Sequence, residues 1–437
     1  MSQARGALRT AHTVYFKNAY LIDGTGAEPR LGGLVVQDDR IADAGRIDLE
    51  PDGPRAEVID LGGRALLPGL VLGHVHLSYH KVLEQADVDL RQPPEVAAIT
   101  AVGTARTLLD CGVTAALSAG APHLVDVHVR NAINAGQVPG PRLLAAGRDI
   151  CQTGGMLDAH PSWLRLEREG FGVFADGPWE VRRAVRRLVK DGADLIKMYV
   201  TGEGLLLGGG PPEPTCTQEE VDAMADEAHR RGRLCSVHAR TAEGCRMAAR
   251  ARVDLVDHAT RADDPALDAI AEAGCFLVPA LDSLVSTLEH ARQEGFAHFA
   301  SYNDFLDRTN AEEELDAALE TIARARKRGI RVLAGGDFGC AWCPHGTYGR
   351  ELTHLVHLAG YAPMDALVAA TRLGAEAMRL QDRIGTLQRG KLADLIVVEG
   401  NPLHDITLLE ERKNLTYVMK DGRFFRRPVA EPAPAYI

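Results

Sequence analysis

The stretch Leu67-Pro-Gly-Leu-Val-Leu-Gly-His-Val-His76 decides how the rest of this chain is read. An apolar run ends at Gly73 and then presents two imidazoles two residues apart. Along an extended strand, residues i and i+2 point to the same side. His74 and His76 can therefore hold one metal ion where the strand leaves its sheet. A His-x-His pair also recurs on solvated faces, so it counts as a site only in context. Four further residues supply that context, each closing an apolar run of its own. Lys197 closes Ala193-Asp-Leu-Ile-Lys, and His238 closes Leu234-Cys-Ser-Val-His. His258 closes Val253-Asp-Leu-Val-Asp-His, and Asp337 closes Val332-Leu-Ala-Gly-Gly-Asp.

Between about Pro68 and Leu380, strand-like runs alternate with amphipathic helical patterns such as Gln218–Arg231, Ala242–Ala251, Pro265–Ala273 and Ala311–Arg328. That alternation is the signature of a parallel α/β arrangement. The candidate strands end near His76, Ser118, Gly147, Lys197, His238, His258, Leu281 and Asp337. Eight β/α units predict a (β/α)8 TIM barrel over residues 68–380, with its chemistry at the C-terminal ends of the strands. Six metal-competent side chains then converge on one barrel mouth, a placement that packing alone does not explain. Outside the barrel, Val14 to Leu67 reads as short strands punctuated by glycine turns, and so does the far end, as in Asp394-Leu-Ile-Val-Val. Two all-β pieces at opposite ends of a chain are most simply halves of one domain. Residues 1–67 and 381–437 are accordingly expected to form a small β-sandwich. The Pro-rich end after Arg427 reads as a tail or an arm reaching a neighbouring subunit.

The chain has 437 residues, of which 46% are hydrophobic and 25% charged, with a formal net charge of −11. That balance argues against nucleic acid and anionic membrane surfaces, which call for clustered Lys and Arg. No apolar run reaches the roughly 18 residues of a membrane span. Met1 to Phe16 lacks an apolar signal core, so a cytoplasmic location is expected. The eight cysteines are scattered, several inside strand-like runs. Cys340-Ala-Trp-Cys343 has no second ligand pair at zinc-finger spacing, so reduced thiols are expected there.

Over nearly its whole length the chain resembles the amidohydrolase superfamily of metal-dependent hydrolases. The resemblance rests on Ala19-Tyr-Leu-Ile-Asp-Gly-Thr-Gly, on Leu67-Pro-Gly before the histidines and on the helix Ala366-Leu-Val-Ala-Ala-Thr-Arg-Leu-Gly-Ala. It rests also on the closing Ile384-Gly-Thr-Leu-Gln-Arg-Gly-Lys-Leu-Ala-Asp-Leu-Ile-Val-Val-Glu-Gly-Asn-Pro-Leu. Within that family, a lysine at Lys197 marks the subgroup in which this side chain is N-carboxylated by CO2 and bridges two divalent ions. An ammonium would repel a dication, whereas a lysine made neutral by desolvation can add CO2 and become an anionic carbamate. The resemblance implies that His74, His76 and Asp337 hold one ion and His238 and His258 the other, with Lys197 linking them. Zn²⁺ is the expected metal, with Co²⁺ or Mn²⁺ as alternatives. Water bound by such ions ionises near neutral pH. Asp337 would steer it, accept its proton and pass that proton to the leaving amine.

Around this centre, His160 is a candidate for polarising the substrate carbonyl. Tyr199, Glu203, Arg240, His345 and Trp342 are candidates for contacting the substrate. Arg240 could bind an anionic group or pair with Asp257 or another acid. Trp163 and Trp179 lie in post-strand loops like Trp342, where they could wall an aromatic pocket or pack between loops. Prolidase-like members show a small Gly pair where Glu203 stands, which puts a straight transfer of peptidase function in doubt. The strand-1 segment and the loop Thr201-Gly-Glu-Gly look most like the branch that contains molinate and phenylurea hydrolases. The implied activity is hydrolysis of the C–N bond of an amide, urea or (thio)carbamate in a neutral, apolar or aromatic small molecule. The alternative is an Xaa-Pro dipeptidase or N-acyl-amino-acid hydrolase, ochratoxin-type amides included; a mononuclear deaminase is more remote. Barrel hydrolases of this type are often homo-oligomers, and by that analogy a homo-oligomer is expected here.

Overall fold

The computed structural model describes residues 12–47, 56–164, 170–203, 213–296 and 299–428. The proposed C-terminal arm, beyond Pro428, and Gly204 of the Thr201-Gly-Glu-Gly loop lie outside them. Seven core strands run through the middle of the chain: Leu70–Val75, Val113–Ser118, Arg142–Ala145, Leu195–Tyr199, Leu234–Thr241, Leu255–Arg261 and Phe276–Val278. Their pairings are all parallel. Parallel strands are covered by helices on their outer side, which is why they read as near-continuous apolar runs. Leu70–Val75 and Val113–Ser118 are buried at every position. The helices after the fourth to seventh strands, Gln218–Arg230, Ala242–Arg250, Asp264–Ala273 and Ala311–Lys327, start and stop within one residue of the expected bounds. Thr217 shows why the first begins where it does. Its hydroxyl accepts from the Glu220 backbone N–H, and the Glu220 carboxylate accepts from the Thr217 N–H at 2.7 Å, a reciprocal cap.

The core strands fall into two sheets. One holds the first three strands; the other holds the fourth to seventh, with Asp149–Cys151 and Gly172–Phe174 at its edge. Asp149–Cys151 follows directly on Arg142–Ala145 and pairs with the fourth strand through Met198↔Ile150. On the far side, single parallel bridges Leu277↔Val332 and Val75↔Phe338 connect the seventh strand to the first through residues 332–338. That segment was expected to be a regular eighth strand, and it is not one. Gly335 and Gly336 interrupt it and Asp337 takes a left-handed conformation, φ 60°. The segment passes so close to the first strand that a Cβ on Gly335 would stand 2.7 Å from the His74 backbone nitrogen. The seventh strand ends at Val278, short of the expected Leu281, because the helix Leu281–Gln293 begins there after a left-handed Ala280.

Both chain ends share one mixed eight-stranded sheet. Ala65–Pro68 pairs parallel with Thr13–Leu21 on one side and antiparallel with Leu395–Val398 on the other. Its apolar face has a core of its own, including Val14, Phe16, Leu34, Ile41, Leu395, Val397 and Met419. The first core strand starts two residues after Ala65–Pro68 ends, so this sheet anchors the segment that carries His74 and His76. No helix among the described residues is long and apolar enough to cross a membrane. All eight cysteines are free, and seven of them are buried. Cys343 donates from Sγ to Asp282 Oδ2 (3.2 Å) and to the Gly336 carbonyl (3.3 Å).

Candidate metal centre

His74, His76 and Asp337 bring one ligand atom each within 4.8 Å of one another. Asp337 Oδ1 lies 3.1 Å from the Nε2 of both histidines, whose Nε2 atoms are 3.3 Å apart. His76 Nδ1 donates to the Gly120 carbonyl (3.2 Å), which leaves its Nε2 unprotonated and free to ligate. Fixing the tautomer through the far nitrogen in this way is how metal-binding histidines are oriented. The His76 ring also stacks on Tyr79, centroids 4.5 Å apart. Asp337 and His258 both adopt positive φ, 60° and 71°. Such backbone costs about 1–3 kcal/mol per residue and persists where surrounding packing enforces it.

His238 and His258 form the other half of the cluster. Their rings lie 4.5 Å apart, His258 is 5.6 Å from the His74 ring, and Tyr199 stacks on His238 at 5.0 Å. All four histidines and Lys197 are buried. Buried His238 Nε2 has no hydrogen-bond partner. A partnerless buried imidazole nitrogen is costly unless something else takes its lone pair, and a bound cation would. Burial, with Arg240 nearby, pushes His238 and His258 far below the ordinary imidazole value, so both are neutral donors. Asp337 is anionic: burial opposes its charge, but His74 and His76 outweigh it and hold the carboxyl well below the usual range. Burial works against a charge on His74 as well, yet the Asp337 and Asp257 carboxylates raise it to about 9. Three neutral imidazoles, a fourth (His74) that must give up its proton to a metal, and a carboxylate make a donor set that fits a divalent ion.

Lys197 donates to Asp257, which also accepts from Ser236 Oγ at 2.6 Å and lies 3.6 Å from His74 Nδ1. Asp257 thus organises the lysine and one histidine at once. Burial opposes its ionisation, and the positive charges of Lys197 and His74 still hold it well below the carboxylate range. It was considered from sequence only as a partner for Arg240. Asp149 is not among the sequence candidates, although an aspartate opening the apolar run Asp149-Ile-Cys is a signal. Its carboxylate is buried without a partner against Gly120, and burial pushes it well above the usual value.

The remaining candidates are placed as follows. Arg240 is buried and donates to Glu203 Oε1 (2.7 Å) and Thr260 Oγ1 (3.2 Å), so its acid is Glu203 rather than Asp257. His345 turns back onto the chain: Nε2 donates to the carbonyls of His76 and Tyr79 (3.1 Å each), and Nδ1 accepts from Tyr348 OH (3.0 Å). With both nitrogens engaged, it steadies the segment carrying His76. His160 pairs with Asp89 (3.2 Å) on the wall of a cavity of about 590 Å³ that Arg148, Leu157, Phe171 and Arg183 also line. No contact joins it to the ligand cluster; Phe171, whose ring is 5.9 Å from that of His76, lies nearest on that side. Trp342 packs edge-on against Phe296 at 5.4 Å, in an aromatic group with Phe299 and Phe305. Trp163 and Trp179 are 79% and 82% exposed and wall no pocket around the histidines.

Lys197, His238 and His258 stand two to three residues before their strands end, at Tyr199, Thr241 and Arg261, rather than closing them as expected. An α/β core that gathers these side chains with His74, His76 and Asp337 defines a metal-hydrolase type of site. Residues 65–425 match the amidohydrolase family, and the chain belongs to it. Ochratoxinase of Aspergillus niger is 28% identical over 436 residues, covering 94% of this chain and 86% of its own. A crystal structure of an Xaa-Pro dipeptidase with bound methionine superposes with a TM-score of 0.84 at 32% identity, covering 95% of this chain and all of the other. Molinate hydrolase, at 23% identity and a TM-score of 0.74 over 98% of this chain and 99% of that one, shares the fold. The chain is a hydrolase of a family that is generally metal-dependent, acting on a small molecule.

Proposed function

We propose that this chain is a binuclear metal-dependent hydrolase that cleaves the C–N bond of an amide, urea or (thio)carbamate in a neutral, apolar or aromatic N-substituted substrate. The observation that carries the reading is the His74, His76 and Asp337 group with His258 beside His74, His238 beside His258 and Lys197 joined to His74 through Asp257, the second histidine pair being neutral and one of its nitrogens partnerless. In this reading residues 68–380 are a (β/α)8 barrel whose irregular eighth strand is the segment ending at Asp337. Residues 1–67 and 381–437 are then the two halves of a β-sandwich. His74, His76 and Asp337 would hold one ion and His238 and His258 the other, with Lys197 as a carbamate between them. Zn²⁺ is the first choice, Co²⁺ and Mn²⁺ the alternatives. When bound, such ions polarise the scissile carbonyl and lower the pKa of water.

The residues of the chain do the rest. Asp337, anionic and within reach of both ligand histidines, accepts the proton of the attacking water. It then returns that proton to the departing nitrogen, so no side-chain nucleophile is needed. Carboxylation of Lys197 turns a cation into an anion. Asp257 must then release the lysine, keeping Ser236 and gaining a stronger hold on His74 Nδ1–H, which orients that ring. His345 and Gly120 fix the neighbouring His76 through its carbonyl and its Nδ1. Burial of the histidines and Lys197, with Asp337 left partly open at 17%, limits the access of bulk water to the reacting atoms.

A second reading, an Xaa-Pro dipeptidase or N-acyl-amino-acid hydrolase, is favoured by similarity to the Xaa-Pro dipeptidase and ochratoxinase and by the position of Arg240 beside His238. Enzyme loaded with Zn²⁺ and bicarbonate separates the two. It is offered an N-acyl amino acid with a free carboxylate and a neutral N-aryl urea or carbamate of similar size. Cleavage of the neutral member supports the proposal, cleavage of the acid alone moves the assignment to the dipeptidase side, and cleavage of neither contradicts both.

A further inference from the structure

Arg240 stands two residues beyond His238 on the same strand, and its side chain is 3% exposed. One terminal nitrogen donates to Glu203 Oε1 and the other to Thr260 Oγ1, while Nε, equally buried, has no partner. The Arg240 backbone N–H donates to Thr201 Oγ1 (3.1 Å), which ties the short segment carrying Glu203 to this strand. Burial raises the Glu203 carboxyl above its ordinary value, Arg240 works against that rise and favours the anion, and the charges of Asp337 and His74 act on it as well. The pair therefore lies at the ligand cluster and not on a remote face.

A guanidinium offers five donors in a rigid fork, and a carboxylate is its best-matched partner. Here one carboxylate already sits on that fork. A substrate carboxylate could reach Arg240 only by displacing Glu203 or by crowding beside it. Displacement would leave Glu203 buried without a counter-charge, a costly state. Crowding would put a third anion next to Glu203 and Asp337 around a single arginine. A neutral carbonyl meets neither obstacle, because it can accept from the free Nε–H with the Glu203 contact intact. Discrimination by an internal like charge is a general route to specificity.

Resting on the hydrolase reading above, we propose that Glu203 sets the charge specificity of the site. By occupying Arg240 it turns away ligands with a free carboxylate, and it leaves Nε–H to receive the oxygen of a neutral amide. The test uses the matched probes N-benzoylglycine and N-benzoylglycinamide, with affinities measured by calorimetry on metal-loaded protein. The wild type is expected to bind the amide more tightly than the acid. Glu203→Gln should move the acid-to-amide affinity ratio about tenfold or more toward the acid, and adding Arg240→Met should remove that gain. The wild-type comparison stands even if the variants do not fold. Tighter binding of the acid by the wild type, or no preference in any form of the protein, overturns the proposal. So does an unchanged ratio in a folded Glu203→Gln protein with wild-type metal content. The readout is binding, so absence of turnover on these probes bears on the hydrolase reading and not on this one.

Discussion

Among the described residues, two groups of side chains bring three metal-competent atoms within 4.8 Å: His74, His76 and Asp337, and, near the opposite ends of the strands, His229, Cys235 and Asp254. Distance does not tell them apart; the state of each atom does. Asp254 already accepts from His229 (3.0 Å), from the Cys235 backbone N–H (2.9 Å) and from Arg379 (2.7 Å). Burial and the Asp254 carboxylate push the Cys235 thiol well above its ordinary value, so it is not a thiolate. His229 is about a third exposed. Asp254 thus already has its counter-charge, from Arg379 on Oδ1, with His229 and the Cys235 N–H on Oδ2. At the mouth, the neighbouring imidazoles are neutral, Asp337 is ionised, and His238 Nε2 has no partner. A ligand set is recognised by unmet valence as well as by spacing.

The largest effect expected from this contrast is at Asp337. Asp337→Asn should lower kcat by about 10³-fold or more while most of the metal stays bound, as steady-state kinetics with metal analysis will show. Full activity in that variant would remove Asp337 from the proton path. Lys197→Ala should come next, reducing the metal content of bicarbonate-loaded protein from two ions per chain to at most one.

The third expectation concerns pH. His74 is raised from 6.5 to about 9 in the metal-free protein, so its proton stabilises that state fully below pH 6.5. This contribution is lost as the pH rises through about 9. A metal must displace the same proton. Metal affinity should therefore climb about tenfold per pH unit between 6.5 and 9 and then level off. Competition titrations with a chelating dye across that range will check the slope; a flat profile would mean that His74 carries no proton to displace.

The smallest effect belongs to the second cluster. His229→Ala should leave metal content and turnover unchanged and cost about 1 kcal/mol of stability, the worth of one partly exposed hydrogen bond to a charged group. Loss of a bound ion in that variant would erase the distinction between the two clusters.

The side chains proposed as ligands stood out because each ends an apolar run in the sequence, and a parallel α/β pattern suggests what the end of such a run means. The first seven core strands and the helices between them were legible for the same reason, since burial on one stripe or along a whole strand leaves a periodic trace. What was not legible depended on groups distant in sequence. The Glu203–Arg240 pair spans 37 residues and Lys197–Asp257 spans 60. His345 and Trp342 sat near the right strand end, but rotamer and loop path turned one onto backbone carbonyls and the other into an aromatic cluster. The left-handed backbone at His258 and Asp337 has no sequence signature, since neither is glycine. Residues 332–338 read as a strand from their apolar start, yet their glycines serve a close pass along His74 rather than a ladder.

The central claim is that the mouth holds two ions between these histidines. Crystals of protein loaded with Zn²⁺ and bicarbonate, with diffraction data collected on both sides of the zinc absorption edge, test it most directly. The account predicts two anomalous peaks, one among His74, His76 and Asp337 and one between His238 and His258, with density extending from Lys197 Nζ between them. A single peak, an unmodified lysine still paired with Asp257, or a peak at His229, Cys235 and Asp254 would contradict it.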